Sequence, residues 1–337
     1  MNKRILKNAE WSILICVLIL VIIGLIALYS ATINSELYEF KKQCIWILIS
    51  IPIIIAIMFI DYELIARISP YLYGVSIILL VGVLFTTPIN GASSWFNIGF
   101  FAFQPAELAK VFIIIFLSFI MVKIQKFSKL EINKPSKLAI IFGIVFLPLI
   151  LIAMQPDYGT AMAYIIALIL MLYVAGIDKK YIITATLIIV ITIPLLYLFI
   201  LPEHAKARID VYLNPDLDPR GAGYNIIQSK IAIGAGKLFG MGWLNGTQTH
   251  LGFLYPKTTD FIFSMIGEEF GFIACGLIVV IYVILLTKAI GIAKTAKDDL
   301  GSYIAIGIVR NFIISYTRKY WYDNRSSSNN RSATSFY

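Results

Sequence analysis

The chain has 337 residues, of which 59% are hydrophobic and only 14% charged. Its mean hydropathy is +0.85, and a soluble domain of this length needs far more charge to cover its surface, so an ordinary water-soluble protein is excluded. The net charge of +9 suits loops facing anionic membrane lipid and gives no ground for a nucleic-acid partner.

A helix needs about 20 apolar residues to cross the hydrocarbon core. In chain order the apolar runs predict eight spans: Ser12–Ala31, Cys44–Ile60, Tyr71–Thr86, Leu108–Val122, Leu138–Met154, Thr160–Ile177, Tyr181–Leu201 and Phe261–Thr287. A partial ninth begins near Ser302 and fails after Val309. The fold expected is therefore an all-α polytopic membrane protein. Lys3, Arg4 and Lys7 precede the first run, which is too long for a typical signal peptide and reads as an uncleaved anchor. Cys16, Cys44 and Cys275 sit in or beside apolar runs without ligand spacing and read as small packed residues.

Positive charge sets the orientation. With the N-terminus inside, the inner loops carry Arg67, then Lys123, Lys126, Lys129, Lys134 and Lys137, then Lys179 and Lys180, then Lys288, Lys294 and Lys297. The short outer loops carry mainly Lys41 and Lys42. Loops 87–107 and 155–159 and the long segment 202–260, between spans seven and eight, then all face outward.

Those outward loops hold the polar residues. Pro105 fits the first turn of a helix, where its missing N–H costs nothing. Glu107 and Lys110 then form an i,i+3 pair, either a structural salt bridge orienting the helix or a polar wall of a cavity. Gln155-Pro156-Asp157-Tyr158-Gly159-Thr160 is a very short connection. Asp157 either caps the next helix or binds directly. In the long segment, Asp216 and Asp218 stand beside prolines, as turn residues do. Its many glycines allow close backbone approach, to another helix or to a ligand. Segment 224–239 is apolar but carries Gln228, Ser229, Lys230 and Lys237, which suits a re-entrant or interfacial element. Arg208, Lys230 and Lys237 suit a phosphate group or anionic headgroups equally. Gln228, Lys230, Lys237 and Gln248 are candidate substrate-cavity residues. Asp260 stands at the mouth of a long span, followed by Phe261-Ile262-Phe263. Apolar neighbours and partial desolvation make a carboxylate a better base, and a solvated N-cap is the alternative. Glu268 and Glu269, two turns on, must face a polar interior or a partner. His204 and His250 have no metal-ligand spacing and read as polar surface residues.

Together these motifs resemble the SEDS family of bacterial cell-envelope proteins, the RodA/FtsW/SpoVE type, from Trp11 to about Val309. The residues that carry the resemblance are Gly91-Ala92 with Trp95, Phe103-Gln104-Pro105-Ala106-Glu107-Leu108-Ala109-Lys110, and Gln155-Pro156-Asp157-Tyr158-Gly159-Thr160. Further on come Asp218-Pro219 with Gly223-Tyr224 and Gln228-Ser229, Ile233-Gly234, Gly246-Thr247-Gln248, and Thr259-Asp260-Phe261-Ile262 with Glu268-Glu269. The spacing from Asp218 to Gly234 is similar to the RodA branch more than to the FtsW branch. The resemblance implies a SEDS-type bundle of ten spans in the bacterial cytoplasmic membrane. It implies a peptidoglycan glycosyltransferase that polymerises lipid II on the outer face, with a class B penicillin-binding transpeptidase as partner in an elongation or division complex. The family's essential aspartate falls on Asp260, its Glu and Lys on Glu107 and Lys110, and its Gln-Pro-Asp aspartate on Asp157. Gly91, Trp95, Pro156, Asp218, Pro219, Gly223, Glu268 and Glu269 fall on structural or turn positions. Cations or a divalent metal, Mg or Mn, would offset charge on the leaving diphosphate.

There are departures. Ser94 stands where the family has a basic residue before Trp95, and Tyr255-Pro256 where it has Pro-Glu. After Val309 the sequence turns polar, where the family continues with the ninth span, a Gly/Pro-rich loop and a tenth. A disordered tail is one expectation for 310–337. A frameshift is the other, because back-translating Tyr316–Tyr337 and reading one nucleotide later permits an apolar Gly/Pro-containing segment like the family's. The domain expectation is a transmembrane domain over 1–309 followed by this tail. Competing functions are a flippase for the lipid-linked precursor and a non-catalytic scaffold for a transpeptidase.

Overall fold

The structure, a computed structural model, describes residues 10–86, 94–98, 101–195, 198–199, 206, 210–211, 213–221, 223–254 and 257–309. The expectations for Gly91, His204, Arg208, Tyr255, Pro256 and the tail 310–337 lie outside the described residues.

Helix overlies all eight expected spans, in whole or part. The helices are α1 (Trp11–Thr32), α2 (Tyr38–Phe59), α3 (Tyr62–Val83), α4 (Pro105–Ile124), α5 (Pro135–Ala153), α6 (Tyr158–Val174), α7 (Lys179–Leu195), α8 (Tyr224–Ala235), α9 (Thr247–His250) and α10 (Ile262–Thr295). A further helix, α11, covers Asp299–Val309. Among the described residues five are long and apolar enough to cross a bilayer: α1, α2, α3, α5 and α10. At about 1.5 Å per residue, a helix of 22 residues such as α1 reaches across the roughly 30 Å hydrocarbon core.

Two expected spans begin well before their apolar runs. At α3 the Asp61 side chain accepts from the Glu63 N–H at 3.0 Å, starting the helix at Tyr62, nine residues before Tyr71, with the polar Glu63 in its first turn. The first turn of α2 is polar too, with Glu39 and Lys42 4.0 Å apart. Pro105 opens α4 as expected. A small ladder was not foreseen: β1 (Phe96–Ile98) pairs antiparallel with β2 (Phe101–Phe103), Phe96 opposite Phe103.

The chain divides into two compact units. One gathers the described residues within Ile57–Thr186 and Leu286–Ile314. Its core holds Leu80, Ile113, Ile141, Ile152, Met171 and Tyr303. Side-chain hydroxyl and amide groups within it donate to backbone carbonyls across the unit. Tyr164 donates to Ala106 O at 2.9 Å and Tyr73 to Ile144 O at 3.0 Å. Gln125 donates to Ala175 O at 2.8 Å and accepts from the Tyr303 hydroxyl.

The other unit gathers the described residues within Met1–Ala56 and Leu187–Leu285. Leu254, Phe261, Met265 and Cys275 pack with Ala27 and Ala31 of α1. Ser229 of α8 and Ser264 of α10 share a hydrogen bond of 2.7 Å. Here α10 is broken at Gly271, whose φ of 77° and ψ of −176° are non-helical. An intact helix would bond Phe272 N to Glu268 O and Ile273 N to Glu269 O. Instead, Phe272 N and Ile273 N donate to the carbonyls of Lys237 and Leu238, at 2.9 and 3.3 Å. The freed carbonyls of Glu268 and Glu269 accept from Met241 N and Gly242 N, at 2.9 and 3.0 Å. Segment 237–242 thus replaces both lost helical bonds, which is what permits a break inside an apolar helix. Close backbone approach, foreseen from the glycines, is here made to another helix.

Candidate functional site

In the unit containing α4 to α6, Lys110 donates to Glu107 at 2.6 Å. The pair is lopsided: the Lys110 side chain is 11% exposed and that of Glu107 57%. Lys110 turns inward and lines a small cavity with Ile113, Leu117, Tyr164, Leu168 and Met171. The expected charge pair is therefore present, and its lysine faces an apolar interior.

Asp157 is fully engaged. One carboxylate oxygen accepts from Thr160 N at 3.1 Å, and the other from the Thr160 hydroxyl at 2.7 Å and Gln104 Nε2 at 2.9 Å. It is the N-cap of α6, and it ties that helix to the residue preceding α4. The helix-capping alternative is thus realised. An Asp157→Asn variant keeps the acceptor facing Thr160 N, whereas Asp157→Ala loses it and is expected to cost about 1 to 2 kcal/mol. Thermal unfolding of the two variants checks this, with Asn clearly the milder. Pro156 lies exposed in the preceding turn. Trp95 is partly exposed, and Ser94 beside it is buried, donating to Gln155 O at 3.4 Å.

In the other unit, Asp218 accepts from Gly221 N at 2.9 Å and shapes the turn into α8, with Pro219 exposed and Gly223 buried at the helix head. Gln228 and Lys230 lie half-buried on α8, and Lys237 is exposed after it. Among the described residues no hydrogen bond or ion pair joins these three to Asp260. Asp260 is exposed, in the turn 257–261 that leads into α10. The sequence predicts partial desolvation there. The apolar neighbours turn away instead: Phe261 and Phe263 are buried in the core while the carboxylate stays in the open.

Glu268 and Glu269 are buried, at 0% and 1% exposure. Glu268 accepts from Gln248 N at 2.7 Å, Thr249 N at 3.1 Å and the hydroxyls of Thr249 and Thr247 at 2.7 and 3.3 Å. It holds the first turn of α9. Gln248 Oε1 is left buried without a hydrogen-bond partner among the described residues. Glu269 accepts from Ser30 Oγ at 2.5 Å and His250 Nε2 at 3.1 Å. His250 is thus no plain surface residue, because its side chain is only 17% exposed. The signal for it in the sequence was indirect: two adjacent buried acids require donors. Lys257 donates to Thr249 O at 3.0 Å. Burial pushes its ammonium below the usual lysine value, and the charge of Glu269 opposes that shift.

Among the described residues no group of three or more His, Cys, Asp or Glu gathers as a metal shell.

A family model described as a cell cycle protein of the FtsW, RodA and SpoVE type matches residues 10–318. The chain is similar to the peptidoglycan glycosyltransferase MrdB of Escherichia coli, 34% identical over 244 residues, which is 72% of this chain and 64% of that protein. It therefore spans less than two thirds of that relative's length. It is 36% identical to stage V sporulation protein E of Bacillus subtilis over 315 residues, covering 88% of this chain and 82% of the relative. Its fold is similar to that of a chain in a peptidoglycan synthase complex that coordinates polymerization and crosslinking. The TM-score is 0.75 at 24% identity, over 90% of this chain and 83% of that one.

Proposed function

We propose, from the premise that this chain belongs to the FtsW/RodA/SpoVE family of cell cycle proteins, that it is a peptidoglycan glycosyltransferase using Asp260 as general base. The observation that carries this reading is Asp260 itself. It is an exposed carboxylate on a short turn that runs into a long apolar helix, with Leu254 and Phe261 buried on either side. Exposure leaves the carboxylate free to meet a substrate, and the buried flanks hold the turn that bears it.

The chemistry follows from the groups. The substrate class is lipid II, a sugar linked through a pyrophosphate to a polyprenyl chain. Asp260 accepts the proton of the acceptor sugar's hydroxyl as that oxygen bonds to the donor's anomeric carbon. The bond from that carbon to the pyrophosphate oxygen breaks, and undecaprenyl pyrophosphate leaves with the electron pair. Cationic side chains would stabilise the charge that develops on the diphosphate; Lys230 and Lys237, in the unit that bears Asp260, are the candidates. Gln248, with its unpartnered oxygen, is a candidate for a substrate hydroxyl. Glu107 and Lys110 suit a cavity wall, and Asp157 supports it through its cap on α6.

The chain is read as an integral protein of the bacterial cytoplasmic membrane with eight full spans, a partial ninth and a cytoplasmic N-terminus. Residues 1–309 form the transmembrane domain and 202–260 its outer segment. The lysine-rich loop 123–137 supports that orientation. Single cysteines at Lys129 and Arg220, on a cysteine-free background, should label with impermeant reagents from opposite sides of the membrane. Labelling of both from outside overturns the topology and the outward-facing site. A class B penicillin-binding transpeptidase within an elongation or division complex is the partner that this function calls for. Incubating the purified chain with lipid II and separating the products by size tests the activity. Strands are expected; unchanged monomer alone favours a flippase or a scaffold.

A further inference from the structure

The two adjacent carboxylates of α10 hold different things, and neither takes part in the proton transfer described above. Glu268 holds the first turn of α9. Glu269 reaches past it to Ser30, near the end of α1, and to His250, at the end of α9. A carboxylate only accepts, so His250 Nε2 and Ser30 Oγ both carry their protons toward Glu269 Oε1. Ser30 Oγ and His250 Nε2 also lie 3.4 Å apart. The second oxygen, Oε2, is buried and has no hydrogen-bond partner among the described residues.

The charged groups around this cluster are few. Glu268 stands beside it on α10, and Lys257 lies on the turn that bears Asp260. Lys257 feels the charge of Glu269 and is bonded to Thr249 O, on the same short helix as His250. Leu254, buried at 1% exposure, closes the segment with its N–H on Gln248 O at 3.3 Å. Asp260 has no hydrogen bond of its own among the described residues. Its position depends on what holds the chain on either side.

We infer that Glu269, gripped by Ser30 and His250, is a positioning residue that fixes the segment 246–254 and, through Lys257, the turn that presents Asp260. The inference rests on the proposed role of Asp260; Glu269 itself touches no substrate. The physical reason is the cost of an under-satisfied buried carboxylate. With only two donors on one oxygen, losing either leaves a charge that burial does not tolerate. The cheapest relief is for α9 to lift and admit water, and the tie from Thr249 to Lys257 carries the Asp260 turn with it. This makes the first span part of the site's scaffold, although Ser30 and Glu269 are 239 positions apart.

Hydrogen exchange on the purified full chain tests the clamp without any substrate. His250→Ala should raise exchange at the amides of 247–254 and 257–261 by about tenfold or more. The amides of α4, in the other unit, should stay at wild-type rates and report intact folding. Ser30→Ala should act in the same direction and less. His250→Gln retains an N–H donor and should return exchange close to wild type. With lipid II as the probe, His250→Ala should lower kcat by about 100-fold with KM little changed, and His250→Gln should recover most of it. Unchanged exchange in His250→Ala overturns the clamp, and so does a Gln variant no better than Ala in both readouts. A wild-type chain that forms no glycan refutes the polymerase reading alone, since the exchange result still decides the clamp.

Discussion

Asp260→Ala should abolish glycan polymerisation while leaving membrane insertion and thermal unfolding as they are. Loss of a general base costs about 100- to 10,000-fold in rate. The structure makes the second half of this expectation sharp. Asp260 is exposed and makes no hydrogen bond among the described residues, so removing its carboxylate strands no partner and opens no cavity. Surface changes of that kind stay within about 0.5 kcal/mol. Asp260→Asn keeps the shape and loses the base, and should be as inactive as the alanine variant. The measurement is strand yield from lipid II at equal protein, beside an unfolding curve for each variant. Near-normal yield from either variant removes Asp260 from the chemistry, and a large fall in unfolding temperature shows that its role is structural.

Gly271→Ala should be among the most damaging single methyl additions in the described residues. The backbone there has φ 77° and ψ −176°, a region that essentially only glycine occupies. A Cβ would also stand 2.4 Å from both Gly240 N and Leu238 O. Backbone atoms cannot swing aside as a side-chain tip can. Strain and overpacking together predict a loss of about 3 kcal/mol or more. The damage should spread, because Gly240 sits in the matching position: its own φ is 84°, and a Cβ there would lie 2.1 Å from Glu269 O. Either substitution pushes segment 237–242 off α10 and strips the carbonyls of Glu268 and Glu269 of their donors. A thermal unfolding series in detergent checks this. Gly276→Ala, with nothing within 4 Å of the new atom, is the control expected to be neutral. Equal unfolding temperatures for Gly271→Ala and Gly276→Ala contradict the interlock.

What could be read from the sequence was local. Apolar runs marked where helices lie, five of which among the described residues are long and apolar enough to cross a bilayer, because a bilayer demands an unbroken apolar length whatever the tertiary contacts. Pro105 and Asp157 marked helix starts, because first-turn chemistry concerns only the next few residues. The Glu107–Lys110 pair followed from helical spacing alone. The glycines between Gly234 and Gly242 announced close approach, but their partner could not be named. The other half of that contact is Gly271, some thirty positions on, inside what reads as ordinary apolar helix. The same is true of Glu269. Its need for donors was legible from two acids in an apolar run, whereas Ser30 and His250 are supplied by distant segments that no periodicity connects. The desolvated setting expected for Asp260 failed for a related reason. Phe261 and Phe263 are indeed apolar neighbours in sequence, but the turn faces them into the core and leaves the carboxylate outside.

The most direct test reconstitutes the purified full chain in lipid vesicles supplied with labelled lipid II and follows two quantities in one preparation: chain length of the product and movement of label across the bilayer. The account predicts glycan strands many disaccharides long, release of undecaprenyl pyrophosphate in proportion, and loss of both when Asp260 is replaced by alanine. Transfer of intact lipid II between leaflets with no polymer, at the same rate in the wild type and the Asp260→Ala variant, would contradict it.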